Sequence, residues 1–339
     1  MATYAGIDLH SSNNYLGIID DDDQRLYGRR LPNDLPRVLS VLEPFKETLE
    51  AVVVESTYNW YWLVDGLKAH GYNLHLANPA AMVQYSGLKH GDDRTDAFWL
   101  AHMKRLNLLP EGYIYPEKER PVRDLLRRRL LFVQQRTAQI LSFKSMVCRN
   151  LGKRIGVNRI KQLEEEDAHR MFEPPHLAMA AGHSIATIRF LSQRIKSMEK
   201  AILAEVKLRP EFTCLLTMPG VGNILGVTIM LEAGDIRRFP KVGNYTSYCR
   251  CVPSQRISNG KRKGEGNRKN GNRYLSWAYV EAAHHCARHN DRARRFYQQK
   301  KAHTCAAVAV KALSHKLARA SYFMMRDQVS FDEQKLFRR

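Results

Sequence analysis

Short apolar runs broken by polar turns fill the first third of the chain, and a longer helical period follows them. "YAGIDLH" (4–10) and "YLGIID" (15–20) are two such runs, parted by the turn signal "SSNN". "QRLYGRRL" comes after the acidic turn "DDDD". Together they predict three short strands within residues 3–29. A helix is expected over 34–47. The fully apolar stretch in "EAVVVEST" predicts a strand ending at Glu55. "NWYWLVDGLKAHG" reads as a helix stopped by Gly71, and "YNLHLANP" as a strand closed by Asn78-Pro79. Helix resumes near Arg94 and runs to about Leu106. Three strands, helix, strand, helix, strand, helix pack naturally as an open mixed sheet with helices on its faces.

Pro110, Pro116 and Pro121 mark a boundary. Beyond it the period lengthens. Leu126, Val133, Ile140 and Val147 recur every seven residues and predict one long helix over 122–150. Ile188, Leu191, Ile195, Met198 and Ile202 alternate at three and four in a second, over about 184–208. A loop containing "EPP" joins them as a helical hairpin, whose apolar seam packs either within the chain or against another copy. Residues 211–325 form a third unit. In "LLTMPGVGNILGVTIMLEAGDI", Pro219, Gly220 and Gly222 separate two apolar helices. That resembles a helix-hairpin-helix, in which Gly220 and Gly222 let backbone N–H groups approach a phosphate; an ordinary helix–helix turn is the plainer alternative. The expected organisation is an α/β domain over 1–110, a helical coiled-coil segment over 120–208, a mostly α domain over 209–326 and a loose tail over 327–339.

Composition changes the picture through charge. The chain has 339 residues, 44% of them apolar, which suffices for two or three cores. Its 54 Lys and Arg against 34 Asp and Glu give a net charge of +20. Nucleic acid is the partner such an excess favours, through counterion release. An anionic membrane surface is the competing partner, but no basic amphipathic terminal helix or lipid-anchor motif accompanies the charge. No apolar run reaches transmembrane length and no secretory signal is visible, so no membrane association is expected. Six cysteines in so long a chain do not form a disulfide framework, and a reducing cytoplasm is expected.

Four acids stand out. Asp8 interrupts an apolar strand, which is costly unless something charged pairs with it. Glu55 ends the apolar "VVVE". Asp93 and Asp96, three apart at a helix start, point to one face. The element order matches the RNase H-like architecture, in which the first strand is central and the "VVVE" strand is its neighbour, so the four acids can meet at one end. Their mutual repulsion is several kcal/mol at an effective dielectric of about 20, and a divalent cation relieves it. Oxygen-only ligands suit Mg²⁺ or Mn²⁺, and such ions serve phosphodiester chemistry. The plainer alternative makes Asp93 and Asp96 helix caps and Glu55 a solvated strand end. Cys249 and Cys251, with "HHC" at 284–286, have the wrong spacing for zinc. His10 lies two residues from Asp8 on the same strand face, and no role is assigned to it. Arg127, Arg128 and Arg129 suit either an RNA backbone or a solvated helix face. Tyr4, Tyr58, Trp60 and Trp62 read as packing residues before base-stacking ones.

The stretch from Val252 to Leu275, "VPSQRISNGKRKGEGNRKNGNRYL", cannot build a core. Arg256, Lys261, Arg262, Lys263, Arg268, Lys269 and Arg273 crowd it with positive charge, and Ser254 and Ser258 sit at its front edge. At this point "GIDLH", "VVEST", "NPAAM" and "DRTDA", followed by "MPGVG", "YCRCVPSQRISNGK" and "KNGNRYL", fall in one order across nearly the whole chain. In that order they resemble the DEDD-type insertion-sequence transposases of the "IS one-ten" family, whose relatives include the Piv-type DNA invertases. The resemblance implies a RuvC-like N-terminal domain with Asp8, Glu55, Asp93 and Asp96 as its metal-binding acids. It implies a C-terminal transposase domain whose nucleophile, aligned on Pro253, is Ser258. It also implies a covalent phosphoserine link to DNA, Mg²⁺ or Mn²⁺ as cofactor, and guidance by a structured bridge RNA that pairs with donor and target DNA. Dimers that pair into tetramers, at the nucleoid of a bacterial cytoplasm, complete what the resemblance implies. A RuvC-type metal-dependent junction resolvase or nuclease that uses water is the alternative, and a non-catalytic nucleic-acid-binding protein is a third.

Overall fold

A computed structural model describes residues 1–82, 92–206, 209–253, 256–264 and 270–337. The chain divides into two compact units. Met1–Glu117 and Ser254–Asn270 form the first; Lys118–Pro253 and Gly271–Arg339 form the second.

The first unit is built on a five-stranded mixed sheet of β1 (Thr3–Leu9), β2 (Asn13–Asp20), β3 (Arg25–Pro32), β4 (Leu49–Glu55) and β5 (Leu74–Ala77), in the order β3-β2-β1-β4-β5. β1 is central, antiparallel to β2 and parallel to β4. The helices are α1 (Leu35–Leu42), α2 (Tyr61–Ala69) and α3 (Asp93–Arg105). Period-two alternation sorts each strand between two faces. Ala5, Ile7, Leu9, Val52 and Val54 point to the face that packs with Val38, Leu42, Leu63 and Leu67 of α1 and α2. On the other face Val53 meets Leu100, and Ile19 meets Phe98 and Ala101, all three partners from α3.

That second face is carved by a row of glycines. Gly6, Gly17 and Gly28 stand in register across β1, β2 and β3. A Cβ on Gly6 would lie 2.0 Å from the Ala97 carbonyl oxygen, and one on Gly17 or Gly28 would strike the Phe98 ring at 2.9 or 2.8 Å. The trough they leave lets the α3 backbone lie directly on β1. It fixes where the start of α3 falls.

The second unit is helical apart from its loops. α4 (Arg120–Leu151) and α7 (Pro175–Val206) form the hairpin, linked through α5 (Val157–Gln162) and α6 (Glu165–Arg170). They run antiparallel: Arg129 reaches Glu199 at 2.9 Å, while Arg136, further along α4, reaches Ser192, further back on α7, at 3.2 Å. The seam packs within the chain. Ile140 and Val147 of α4 share a core with Ile185 and Ile188 of α7, and Leu126 joins Ile202 and Val206 in the larger core. α7 starts nine residues before the expected 184, because Pro175 occupies its first turn, where a missing N–H is harmless.

The larger core is closed by α8 (Pro210–Leu216), α9 (Asn223–Ala233), α10 (Val242–Tyr248), α11 (Arg273–His289), α12 (Asp291–His303), α13 (Ala306–Asp327) and α14 (Glu333–Leu336). α9 is buried from Leu225 to Ala233 without a break. Gly220, with φ of +87°, backs onto α11: a Cβ there would sit 2.4 Å from the Ala282 carbonyl oxygen. Cys249, Cys251 and Cys286 are buried, and burial pushes the Cys251 thiol up to about 12. The segment read as a tail carries α14, tied back by Phe331 N–H to Thr217 Oγ1 (2.8 Å) and Asn290 Nδ2 to Glu333 Oε1 (2.6 Å).

The chain leaves this unit after Pro253 and re-enters at Gly271. The exit and return meet at one point. Asn272 N–H donates to the Tyr248 carbonyl (2.6 Å), and Cys251 N–H to that of Thr246 (3.0 Å). Gly271 takes φ of +88° there, with no room for a Cβ beside Tyr248.

Candidate functional site

Register alone brings the first two acids together. Ile7 pairs with Val54 on parallel strands, so Asp8 and Glu55 follow side by side at the strand ends, on the face covered by α3. Asp8 is only 4% exposed. The glycine trough then sets the first turn of α3 over the end of β1, carrying Asp93 and Asp96. Neither of these caps the helix. Asp92 does, accepting from Thr95 N–H at 2.7 Å.

The cluster repels itself. Burial pushes the Glu55 carboxyl up to about 8, helped by a hydrogen bond to Asp8 and by the charges of Asp8 and Asp96. Asp96 is also raised, by burial first and then by Asp8, Asp92 and Asp93, with His10 opposing. Arg30 of β3 pairs with Asp93 and also donates to Asn13 Oδ1 at 3.0 Å. His10 faces the same point. Its Nε2 lies 3.1 Å from Asp8 Oδ2 and 3.2 Å from Asp93 Oδ1, yet is aligned for a hydrogen bond with neither. Although the His10 side chain is 40% exposed, that nitrogen is buried. The backbone behind it is pinned, its carbonyl accepting from Asn33 (3.0 Å) and Asn59 (2.9 Å).

These residues fit a divalent cation. One donor atom each from Asp8, His10 and Asp93 lies within 4.8 Å of the others. A buried nitrogen without a hydrogen-bond partner, and carboxyls raised by burial and by one another, are both resolved by a positive charge at their centre. With a His among the donors, the set also admits the more nitrogen-tolerant Mn²⁺ alongside Mg²⁺.

Ser258 lies elsewhere in the sequence but in the same compact unit. It ends β6 (Arg256–Ser258), which pairs with β7 (Lys261–Gly264) across Asn259-Gly260. Asn259 and Gly260 have φ of +49° and +69°, the left-handed pair of a type I′ hairpin turn. Ser258 pairs with Lys261 beside that turn and is exposed, as are Lys261 and Lys263. Arg256 and Arg262 belong to the two strands. Arg273 begins α11 and is exposed. Gly222 precedes α9, with nothing within 4 Å of the position a Cβ would take. Ser254, Arg268 and Lys269 lie outside the described residues.

Two residues matter here that their sequence positions did not announce. His10 had one signal, its spacing from Asp8. Glu232 had none. It has no exposed surface, and it accepts from Arg123 (3.1 Å), from Arg127 (2.6 and 2.8 Å) and from Asn272 Nδ2 (2.7 Å). Asn272 in turn caps α11, accepting from the N–H groups of Tyr274 and Leu275. The buried acid thus anchors the point where the chain returns from the Ser258 hairpin.

An acid-lined sheet end with a place for a cation, together with a helical unit and a strongly basic hairpin, defines a class of DNA-processing proteins. Comparison with known proteins gives the family. A DEDD-type IS110 transposase family model matches residues 5–149, and the "Transposase IS116/IS110/IS902 family" model matches residues 213–298. The chain belongs to this family of insertion-element transposases. It is 23% identical to the 44.8 kDa protein of insertion element IS116 from Streptomyces clavuligerus, over 97% of this chain and 96% of that one. It is 24% identical to the 43.6 kDa protein of insertion element IS110 from Streptomyces coelicolor, over 43% of this chain and 36% of that one. Among the described residues no helix is long and apolar enough to cross a membrane.

Proposed function

We propose that the chain cuts and rejoins DNA at the ends of an insertion sequence through a phosphoserine link at Ser258, assisted by a divalent cation at the acid cluster. One observation carries this reading: donor atoms of Asp8, His10 and Asp93 lie within 4.8 Å of one another at the end of the sheet, beside a Glu55 carboxyl that burial, Asp8 and Asp96 push up to about 8. Asp8, Glu55, Asp93 and Asp96, with His10, would hold the cation. When bound, it supplies charge stabilisation for the oxygens that gain charge at phosphorus. Ser258 Oγ forms the new bond to phosphorus and gives up its proton; the bridging oxygen of the strand departs with its electron pair and is protonated. The reverse reaction with a second strand end rejoins the DNA and frees the serine. Lys261, Lys263 and Arg273, with Arg256, Arg262, Arg268 and Lys269, hold the backbone phosphates beside it.

The strand order, with β1 central and its acid beside that of β4, supports an RNase H-like, RuvC-type reading of the first unit. Pro219-Gly220-Val221-Gly222 between α8 and α9 supports a helix-hairpin-helix phosphate contact through Gly222. The grouping of Ser254–Asn270 with Met1–Glu117 supports delivery of the serine to the acids. The charge of +20 accords with two nucleic acids bound at once, donor or target DNA and a guide RNA, in a dimer that pairs into a tetramer.

The test is the Ser258→Ala variant, incubated with DNA carrying the element's ends and Mg²⁺. It is expected to bind DNA as the wild type does and to form no covalent protein–DNA adduct on a denaturing gel. Adduct from the variant would move the nucleophile to another residue. Nicked DNA without adduct from the wild type would favour hydrolysis by water. Sequencing RNA that co-purifies from cells holding the flanking DNA tests the guide.

A further inference from the structure

We infer that a cleft between α4 and α11 holds a single unpaired nucleotide of a DNA strand. The inference rests on the reading that the chain acts on DNA, and of the residues that reading names it shares only Arg273. Asp124, Arg127, Arg128 and Leu131 recur at three and four along α4 and so form one stripe. Opposite them stand Arg273, Tyr274 and Trp277, on the first turns of α11. The space between measures about 610 Å³. That accommodates one or two nucleotides and falls in the range of small-molecule sites.

The chemistry of the walls selects a planar, anionic guest. The Arg127 guanidinium lies 4.4 Å from the centre of the Tyr274 ring, and that of Arg273 lies 5.0 Å from it. Arg127 is not a loose surface cation. Arg127 is gripped by the buried carboxylate of Glu232 through two nitrogens, and Arg273 Nη2 donates to the Tyr274 hydroxyl at 3.0 Å. Two guanidinium groups thus lie against one aromatic ring, and Arg127 is held in place by Glu232 before any ligand arrives, so little of its side-chain entropy is lost on binding. Trp277, half-buried with its inner side against the core, adds an indole face. Exposed Leu131 supplies an apolar wall. Arg128 and Arg273 are exposed at the rim, where a phosphate on either side of a stacked base would sit. Asp124 is the one acid of the lining, against three arginines.

A fully paired duplex offers such a cleft no free base face, whereas an unpaired nucleotide offers a base and a phosphate together. Strand cutting and exchange generate unpaired nucleotides, and α11 is the helix that comes after the Ser258 hairpin in the sequence.

Fluorescence anisotropy with labelled oligothymidine, a blunt duplex and oligouridine tests this in the full-length protein. Trp277→Ala and Arg128→Glu are each expected to weaken oligothymidine binding about tenfold while changing duplex binding less than about threefold. Trp277→Phe, which keeps an aromatic face, should restore most of the loss and so separates stacking from misfolding. Equal losses on duplex and single strand, or no loss on either, overturn the proposal. Dependence on these residues with oligouridine but not oligothymidine reassigns the cleft to RNA and overturns it as stated. A wild type that binds duplex but not oligothymidine removes the cleft and leaves the recombinase reading standing; one that binds neither removes both.

Discussion

Glu232 and His10 show how much a single side chain can carry. Glu232 is an acid with no exposed surface, and despite burial its pKa is lowered, by Arg127, Arg123 and the Asn272 amide. A carboxyl held below its ordinary 4.5 stabilises the fold fully above that value, and the contribution is lost as pH falls through the lower, folded value. Thermal unfolding followed from neutral pH into acid should therefore show a loss that the Glu232→Gln variant lacks. That variant, which leaves two arginines facing a neutral amide, should cost about 3 kcal/mol. His10→Ala should weaken Mn²⁺ binding about tenfold by calorimetry, since the ring aims its buried nitrogen at the same point as Asp8. Unchanged Mn²⁺ affinity would remove His10 from the site. Asp8 was legible in the sequence because an acid inside an apolar strand has no ordinary use. Glu232 was not, because the residues that justify it lie 109, 105 and 40 positions away and read locally as surface arginines and a loop asparagine.

Among the elements, α3 decides whether the acids meet. Its place on the sheet depends on Gly6, Gly17 and Gly28, and the closest approach is of backbone to backbone. A methyl group on Gly6 would lie 2.0 Å from the Ala97 carbonyl oxygen and 2.9 Å from the Ala101 nitrogen, with no side chain to swing aside. Gly6→Ala is expected to destabilise the first unit by about 2–3 kcal/mol through overpacking. It should also lower DNA cleavage at least tenfold by lifting Asp93 and Asp96 away from Asp8. Full activity in that variant would show that α3 does not set the site. The strands and helices of this unit follow the apolar periods of the sequence closely, from the three opening strands to the helix after Asp92. The trough does not. "AGID", "LGII" and "YGRR" each look like a strand with one weak residue, and only the register shows the three glycines in a line. The early start of α7 escaped for a similar reason, since "EPP" signals a loop locally while Pro175 is tolerated in a helix's first turn.

Over the whole molecule, charge and chain path carry the functional argument. A net charge of +20 should make duplex affinity fall steeply with salt, by about 10³-fold or more between 50 and 200 mM if six or more phosphates are neutralised. A shallow dependence in filter binding would mean that few of these cations meet phosphate. The excursion from Pro253 to Gly271 joins the Ser258 hairpin to the first unit while its base stays clamped in the second. The basic composition of that stretch was plain in the sequence, as was its unfitness for a core. Its clamp through Tyr248, Gly271 and Asn272 was not, because it is made by backbone groups and one buried carboxylate. The proposed chemistry requires a cation where β1, β4 and α3 converge. The most direct measurement is anomalous diffraction from crystals soaked in Mn²⁺. A peak within coordination distance of Asp8, joined by Asp93 or Asp96 and by Glu55 or His10, is the predicted result. Density at other sites only, with none at Asp8, would contradict the account.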